Sequence, residues 1–108
     1  MKRTIKPWEF KKLLGNSEKI QIIDVRRKED YDADKRIITN AIWRDPDKVD
    51  SWGKTLGGVT DTVVYCIDGE SVSSTVINLL QEAGIEARYI EGGLKAWVEI
   101  SGDITTRG

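Results

Sequence analysis

The chain has 108 residues, of which 39% are hydrophobic and 32% charged, with 17 basic against 18 acidic side chains and a formal net charge of -1. That length supports one core over 1–108 and excludes two, and the interleaved charges form no block suited to nucleic acid or a membrane surface. One cysteine and no histidine exclude an internal disulfide, a histidine-activated nucleophile and the usual zinc ligand sets, so no metal or other cofactor is expected.

The chain starts with basic residues, Lys2 and Arg3, but these meet no apolar stretch of signal-peptide length. No uninterrupted run approaches a membrane span, and a cytoplasmic location is the expectation. Pro7 suits the first turn of a helix that places Phe10, Leu13 and Leu14 on one face and ends at Gly15 and Asn16. Residues 20–25 form a β-branched run that reads as a buried strand. The charged stretch 27–33 predicts one or two helical turns, and 41–43 a brief strand before Asp45 and Pro46. Val49, Trp52 and Leu56, spaced by three and four, predict a modest helix over 47–56 that Gly57 and Gly58 close.

Residues 62–65 predict a core strand. After them Cys66, Ile67, Asp68, Gly69, Glu70, Ser71, Val72 and Ser73 lead into a helix with Val76, Ile77, Leu80 and Ala83 on one face and Gly84 at its stop. Residues 86–90 predict a further strand. Gly92 and Gly93 turn the chain into a last helix carrying Leu94, Trp97 and Val98, and 101–108 reads as a loose tail. Strands separated by helices predict an α/β fold, a small mainly parallel β-sheet with helices on both faces. In such sheets ligands gather at the carboxyl ends of strands, where Cys66 stands.

A thiol between a strand end and a helix start is a candidate nucleophile, because backbone N–H groups and the helix N-terminus stabilise a sulfur anion without an imidazole. The competing reading is a buried core cysteine. Asp24 and Arg26, following a buried strand, suit ion pairing that fixes neighbouring loops better than contact with substrate. Ser71, Ser73 and Ser74 suit helix capping, and Trp8, Trp43, Trp52 and Trp97 suit core or rim packing, with Trp43 or Trp52 available to line a pocket mouth.

Asp24-Val25-Arg26, the Cys66 loop and Glu91-Gly92-Gly93-Leu94-Lys95-Ala96-Trp97, in that order and at these separations, resemble the rhodanese family of sulfurtransferase domains over nearly the whole chain. The resemblance implies that Cys66 is the catalytic residue and carries a sulfane sulfur as a persulfide. It further implies that Ile67, Asp68, Gly69, Glu70, Ser71 and Val72 form the active-site loop, with Gly69 at its glycine. The implied partners are a sulfur donor, persulfide or thiosulfate, and a thiol or cyanide acceptor, with a protein partner also allowed. The implied location of function is a loop that departs from the family. Where many relatives carry a cation near Ser71, this loop contributes the carboxylates Asp68 and Glu70. These oppose a thiolate and repel anionic donors, so low thiosulfate turnover and a persulfide donor are expected. A cation from Arg26, Arg44 or Arg88 entering the pocket would weaken that objection. The alternative is a binding module with weak or no catalysis that uses the acidic loop to recognise a partner. The stretch often written His-Ile-Pro-Gly-Ala is here Ile37-Ile38-Thr39-Asn40-Ala41. Related phosphatase chemistry needs an arginine six residues after the cysteine, a position occupied here by Val72.

Overall fold

The computed structural model describes residues 3–16, 19–56, 61–67 and 71–107. Five strands form one parallel sheet: β1 (Thr4–Ile5), β2 (Ile20–Asp24), β4 (Ile42–Trp43), β5 (Asp61–Tyr65) and β6 (Arg88–Ile90), in the spatial order β1-β6-β5-β2-β4. Two further strands, β3 (Arg36–Ile38) and β7 (Ile104–Thr106), pair antiparallel as a separate ribbon. The helices are α1 (Pro7–Asn16), α2 (Lys28–Ala33), α3 (Val49–Trp52), α4 (Ser71–Glu82) and α5 (Gly93–Glu99). The mainly parallel sheet with helices on both faces agrees with the sequence reading. No described helix is long and apolar enough to cross a membrane.

Alternation along β5 divides the core in two. Val64 and Cys66 face a cluster with Val49 and Trp52 of α3 and Val76, Ile77 and Leu80 of α4. Val63 and Tyr65 face the other cluster, with Phe10 of α1 and Leu94 and Trp97 of α5. A strand buried on both faces needs apolar side chains at every position, which is why β5 reads as a continuous run instead of an alternating one.

Helix boundaries follow local chemistry. Glu9 reaches back to accept from the backbone N–H of Lys6 at 3.0 Å, so the start of α1 is satisfied beside Pro7. At the end of α4, Gly84 takes φ +79°, and the amides of Gly84 and Ile85 bond to the carbonyls of Gln81 and Leu80, a left-handed helix stop.

Four expectations need correction. The stretch 47–56 is not one helix: Pro46–Lys48 and Gly53–Leu56 are 3₁₀ turns on either side of the single α turn of α3. The closing glycines Gly57 and Gly58 lie outside the described residues. Ala83 is exposed and not on the core face. Trp8 is 59% exposed, so it is no core residue. The tail is not loose, since β7 pairs with β3 and the Trp97 indole donates to the Asp103 carbonyl at 3.0 Å. A Cβ at Gly102 would lie 2.0 Å from the Trp97 ring, so the chain can cross this buried indole only as glycine. A tryptophan of this kind withdraws roughly 200 Å² from water, which anchors the segment after α5.

Candidate active site

Cys66 directly follows β5, the central strand, and is 6% exposed. Its side chain lies on the face occupied by Val25, Val49, Trp52 and Val76. The backbone around it is held from the opposite side. The amides of Leu94 and Lys95, in the first turn of α5, donate to the carbonyls of Cys66 and Ile67 at 2.8 and 2.9 Å. Gly93, at φ +61°, permits this approach, since a Cβ there would sit 2.4 Å from the Cys66 carbonyl oxygen and 2.8 Å from Ile67. Gly92 takes φ +78°. The glycine pair therefore does two jobs: it turns the chain into α5 and lets α5 grip the strand end that presents the thiol.

The remaining loop positions are distributed as follows. Ile67 is half-buried and Ser71 opens α4 on its exposed side. Val72 packs against the cluster that contains Cys66, so the position where phosphate chemistry needs a guanidinium holds an apolar side chain directed to the core. Asp68, Gly69 and Glu70 lie outside the described residues. The capping reading of the serines finds no support at Ser73 or Ser74. Ser73 is fully buried and its hydroxyl has no hydrogen-bond partner among the described residues, while Ser74 accepts from Arg3.

Asp24 and Arg26 form a buried unit at the same end of the sheet, on the Tyr65 face and not the Cys66 face. Asp24, 0% exposed, is in register with Tyr65, the residue before Cys66. Its carboxylate receives the Arg26 guanidinium through Nη2 at 2.7 Å and Nε at 3.0 Å, and the Arg26 amide at 3.0 Å. The Tyr65 hydroxyl donates to the same carboxylate at 3.1 Å and accepts from the Ile38 amide. The two terminal nitrogens of Arg26 also reach the carbonyls of Asp34 and Arg36. Burial opposes the charged guanidinium, and the hydrogen bonds and charge of Asp24 outweigh it, so the Arg26 pKa is raised. Burial, followed by the charge of Asp24, pushes the Tyr65 phenol far above its ordinary range. This constellation ties β2, β3 and β5 together and engages four of the five side-chain N–H groups of Arg26, which is 1% exposed, so the pair fixes the neighbouring segments. Tyr65 is the member that sequence reasoning missed. Its signal was a hydroxyl-bearing ring in an aliphatic strand directly before the cysteine.

The turn at 37–41 is built from residues that differ from the family's usual ones. Asn40 takes φ +73° and the Ala41 amide bonds to the Ile38 carbonyl. Asparagine tolerates the left-handed conformation better than other non-glycine residues, so it stands where the resemblance places a glycine. Among the described residues no group of three or more carboxylate and thiol side chains is arranged to hold a metal ion.

Comparisons with known proteins agree with this architecture. The chain is similar to a rhodanese-like domain protein from Staphylococcus aureus, at 29% identity over 100% of both chains with a TM-score of 0.80. It is similar to the rhodanese-like domain of an Anabaena protein, at 27% identity over 99% of this chain and 81% of that one, with a TM-score of 0.84. A full-length protein from Lactobacillus plantarum shares the fold at 23% identity, with 97% and 88% of the two chains covered and a TM-score of 0.85. No curated protein matches the sequence. The family model for the rhodanese-like domain matches residues 6–100, and the chain belongs to that family.

Proposed function

We propose that the protein is a sulfurtransferase that carries a sulfane sulfur on Cys66 and passes it to a thiol or cyanide acceptor. The observation that supports this most is the setting of the chain's one thiol. Cys66 stands at the carboxyl end of the central strand, clamped by α5 from one side and enclosed by an apolar cluster on the other. A persulfide is a reactive anion, and a nearly closed apolar setting shields it from solvent thiols until an acceptor docks. In the loading step the Cys66 thiolate attacks the outer sulfur of the donor. A bond forms between Sγ and that sulfur, the donor's own bond to it breaks, and the leaving group departs with the electron pair as a thiolate or, from thiosulfate, as sulfite. Transfer to the acceptor repeats the exchange, so neither an oxidant nor a metal is consumed. The carboxylates Asp68 and Glu70 in the loop favour a persulfide donor over thiosulfate.

Those same two acidic residues favour a second reading, a rhodanese-like binding module with weak or no catalysis. Replacing the nucleophile separates the two. Cys66→Ser abolishes sulfur transfer to cyanide or a thiol while retaining the fold if the enzyme reading is right, and retained transfer in that variant contradicts it.

A further inference from the structure

The carboxyl end of the sheet carries a cation that the loop lacks. Parallel pairing sets Asp24 beside both Trp43 and Tyr65, and both ladders run on by one residue, because the Val25 amide bonds to the Tyr65 carbonyl at 2.9 Å and the Arg44 amide to the Asp24 carbonyl at 3.0 Å. Arg44, Val25 and Cys66 therefore form one row across three neighbouring strand ends, on one face of the pleat. Val25 is 0% exposed and in the same apolar cluster as Cys66. Arg44 and Cys66 are separated by two strand spacings, roughly 10 Å, a gap that an extended arginine side chain crosses in large part.

The arginines differ in availability. Arg26 is committed to Asp24 and two carbonyls. Arg88 lies 3.8 Å from Asp61 at the amino end of β5, away from the thiol. The half-buried Arg44 has no ion-pair or hydrogen-bond partner for its guanidinium among the described residues. The chain immediately after it is pinned: the Trp52 indole donates to the Asp45 carbonyl at 2.7 Å, and the Asp45 carboxylate accepts from the Asp47 amide. A half-buried arginine on a fixed backbone, in one row with Val25 and Cys66, is a candidate oxyanion receptor.

Resting on the sulfurtransferase reading, we propose that Arg44 is a specificity-determining residue that binds the carboxylate of a small-molecule persulfide donor while its outer sulfur is delivered to Cys66. The loop carboxylates disfavour a negative charge next to the sulfur, as in thiosulfate. A carboxylate a few carbons from the transferred sulfur is instead held by Arg44. The chemistry of transfer is unchanged, and Arg44 acts on the leaving half of the donor, which departs as a carboxylated thiolate.

Two measurements on the full chain test this, using Arg44→Gln and Arg44→Lys. In the first, Cys66 is alkylated with iodoacetate, which carries a carboxylate, and with neutral iodoacetamide. The ratio of the two rates is expected to fall about tenfold in Arg44→Gln and to recover in part in Arg44→Lys. In the second, kcat/KM is compared for a carboxylated alkyl persulfide, an uncharged alkyl persulfide and thiosulfate. The preference for the carboxylated over the uncharged donor is expected to fall by a similar factor in Arg44→Gln. An unchanged alkylation ratio, or equal losses with both persulfides, overturns the assignment, and a loss confined to thiosulfate reassigns Arg44 to sulfonate. If the wild-type protein takes sulfur from no donor, the sulfurtransferase reading fails, and the alkylation ratio still decides whether Arg44 recruits anions to Cys66.

Discussion

The Leu94 amide donates a 2.8 Å hydrogen bond to the Cys66 carbonyl, so the first turn of α5 grips the backbone of the residue that presents the thiol. Gly93 makes that contact possible, because any Cβ at this position would overlap the same carbonyl oxygen. Gly93→Ala should therefore destabilise the fold by about 2–4 kcal/mol, combining a backbone clash with a side chain forced to positive φ. It should also lower sulfur transfer beyond what unfolding accounts for, since α5 or the strand end must shift. Denaturant melts paired with activity measured well below the melting midpoint check both parts, and an activity equal to wild type would show that the grip does not position Cys66.

The Asp24–Arg26 pair is fully buried, and removing one partner leaves the other charged without compensation. Arg26→Met is expected to cost about 3–5 kcal/mol, and Asp24→Asn a comparable amount. The double replacement should cost less than the sum of the two, because the second change removes the charge that the first one stranded. A double-mutant cycle by chemical denaturation measures this, and simple additivity would show that the two side chains do not act as a unit.

Asp34 supplies a pH dependence at the acid end. The hydrogen bond from Arg36 holds its carboxyl down at about 2 from an ordinary 3.8, against a smaller opposing effect of partial burial. A carboxyl whose folded value is depressed stabilises the fold fully above 3.8 and loses that contribution as pH falls through about 2. The stability difference between wild type and Asp34→Asn should be constant at neutral pH and shrink across that window. Both side chains are substantially exposed, so screening keeps the effect small and added salt should reduce it further. Melting temperatures recorded against pH for the two proteins provide the test.

Much of this architecture is legible in the sequence, for identifiable reasons. Residues 20–25 and 62–65 are dense in β-branched side chains because both faces of their strands are buried, and α1, α4 and α5 show helical spacing with glycine or asparagine at their ends. The strands β1, β3 and β7 have only two or three residues each. Their pairing is fixed by distant partners such as Tyr89 for Thr4 and Thr106 for Arg36, which no local pattern announces. The same limit applies to the site. Cys66 is visible as a thiol between strand and helix, and the glycine pair as a turn. That Gly93 touches the Cys66 carbonyl, that Tyr65 joins Asp24 and Ile38, and that Arg44 stands in the Cys66 row follow only from the three-dimensional register. Trp8 illustrates the converse, a large apolar residue that composition assigns to packing and the fold leaves 59% exposed.

The central claim is that Cys66 accepts a transferable sulfur, and intact-protein mass spectrometry tests it most directly. The protein is incubated with a low-molecular-weight persulfide and separately with thiosulfate, then treated with cyanide. The account predicts a gain of one sulfur atom from the persulfide and little from thiosulfate. The added sulfur should be removed by cyanide and absent in Cys66→Ser. A wild-type protein that gains no sulfur from either donor would contradict the account and leave the binding-module reading in its place.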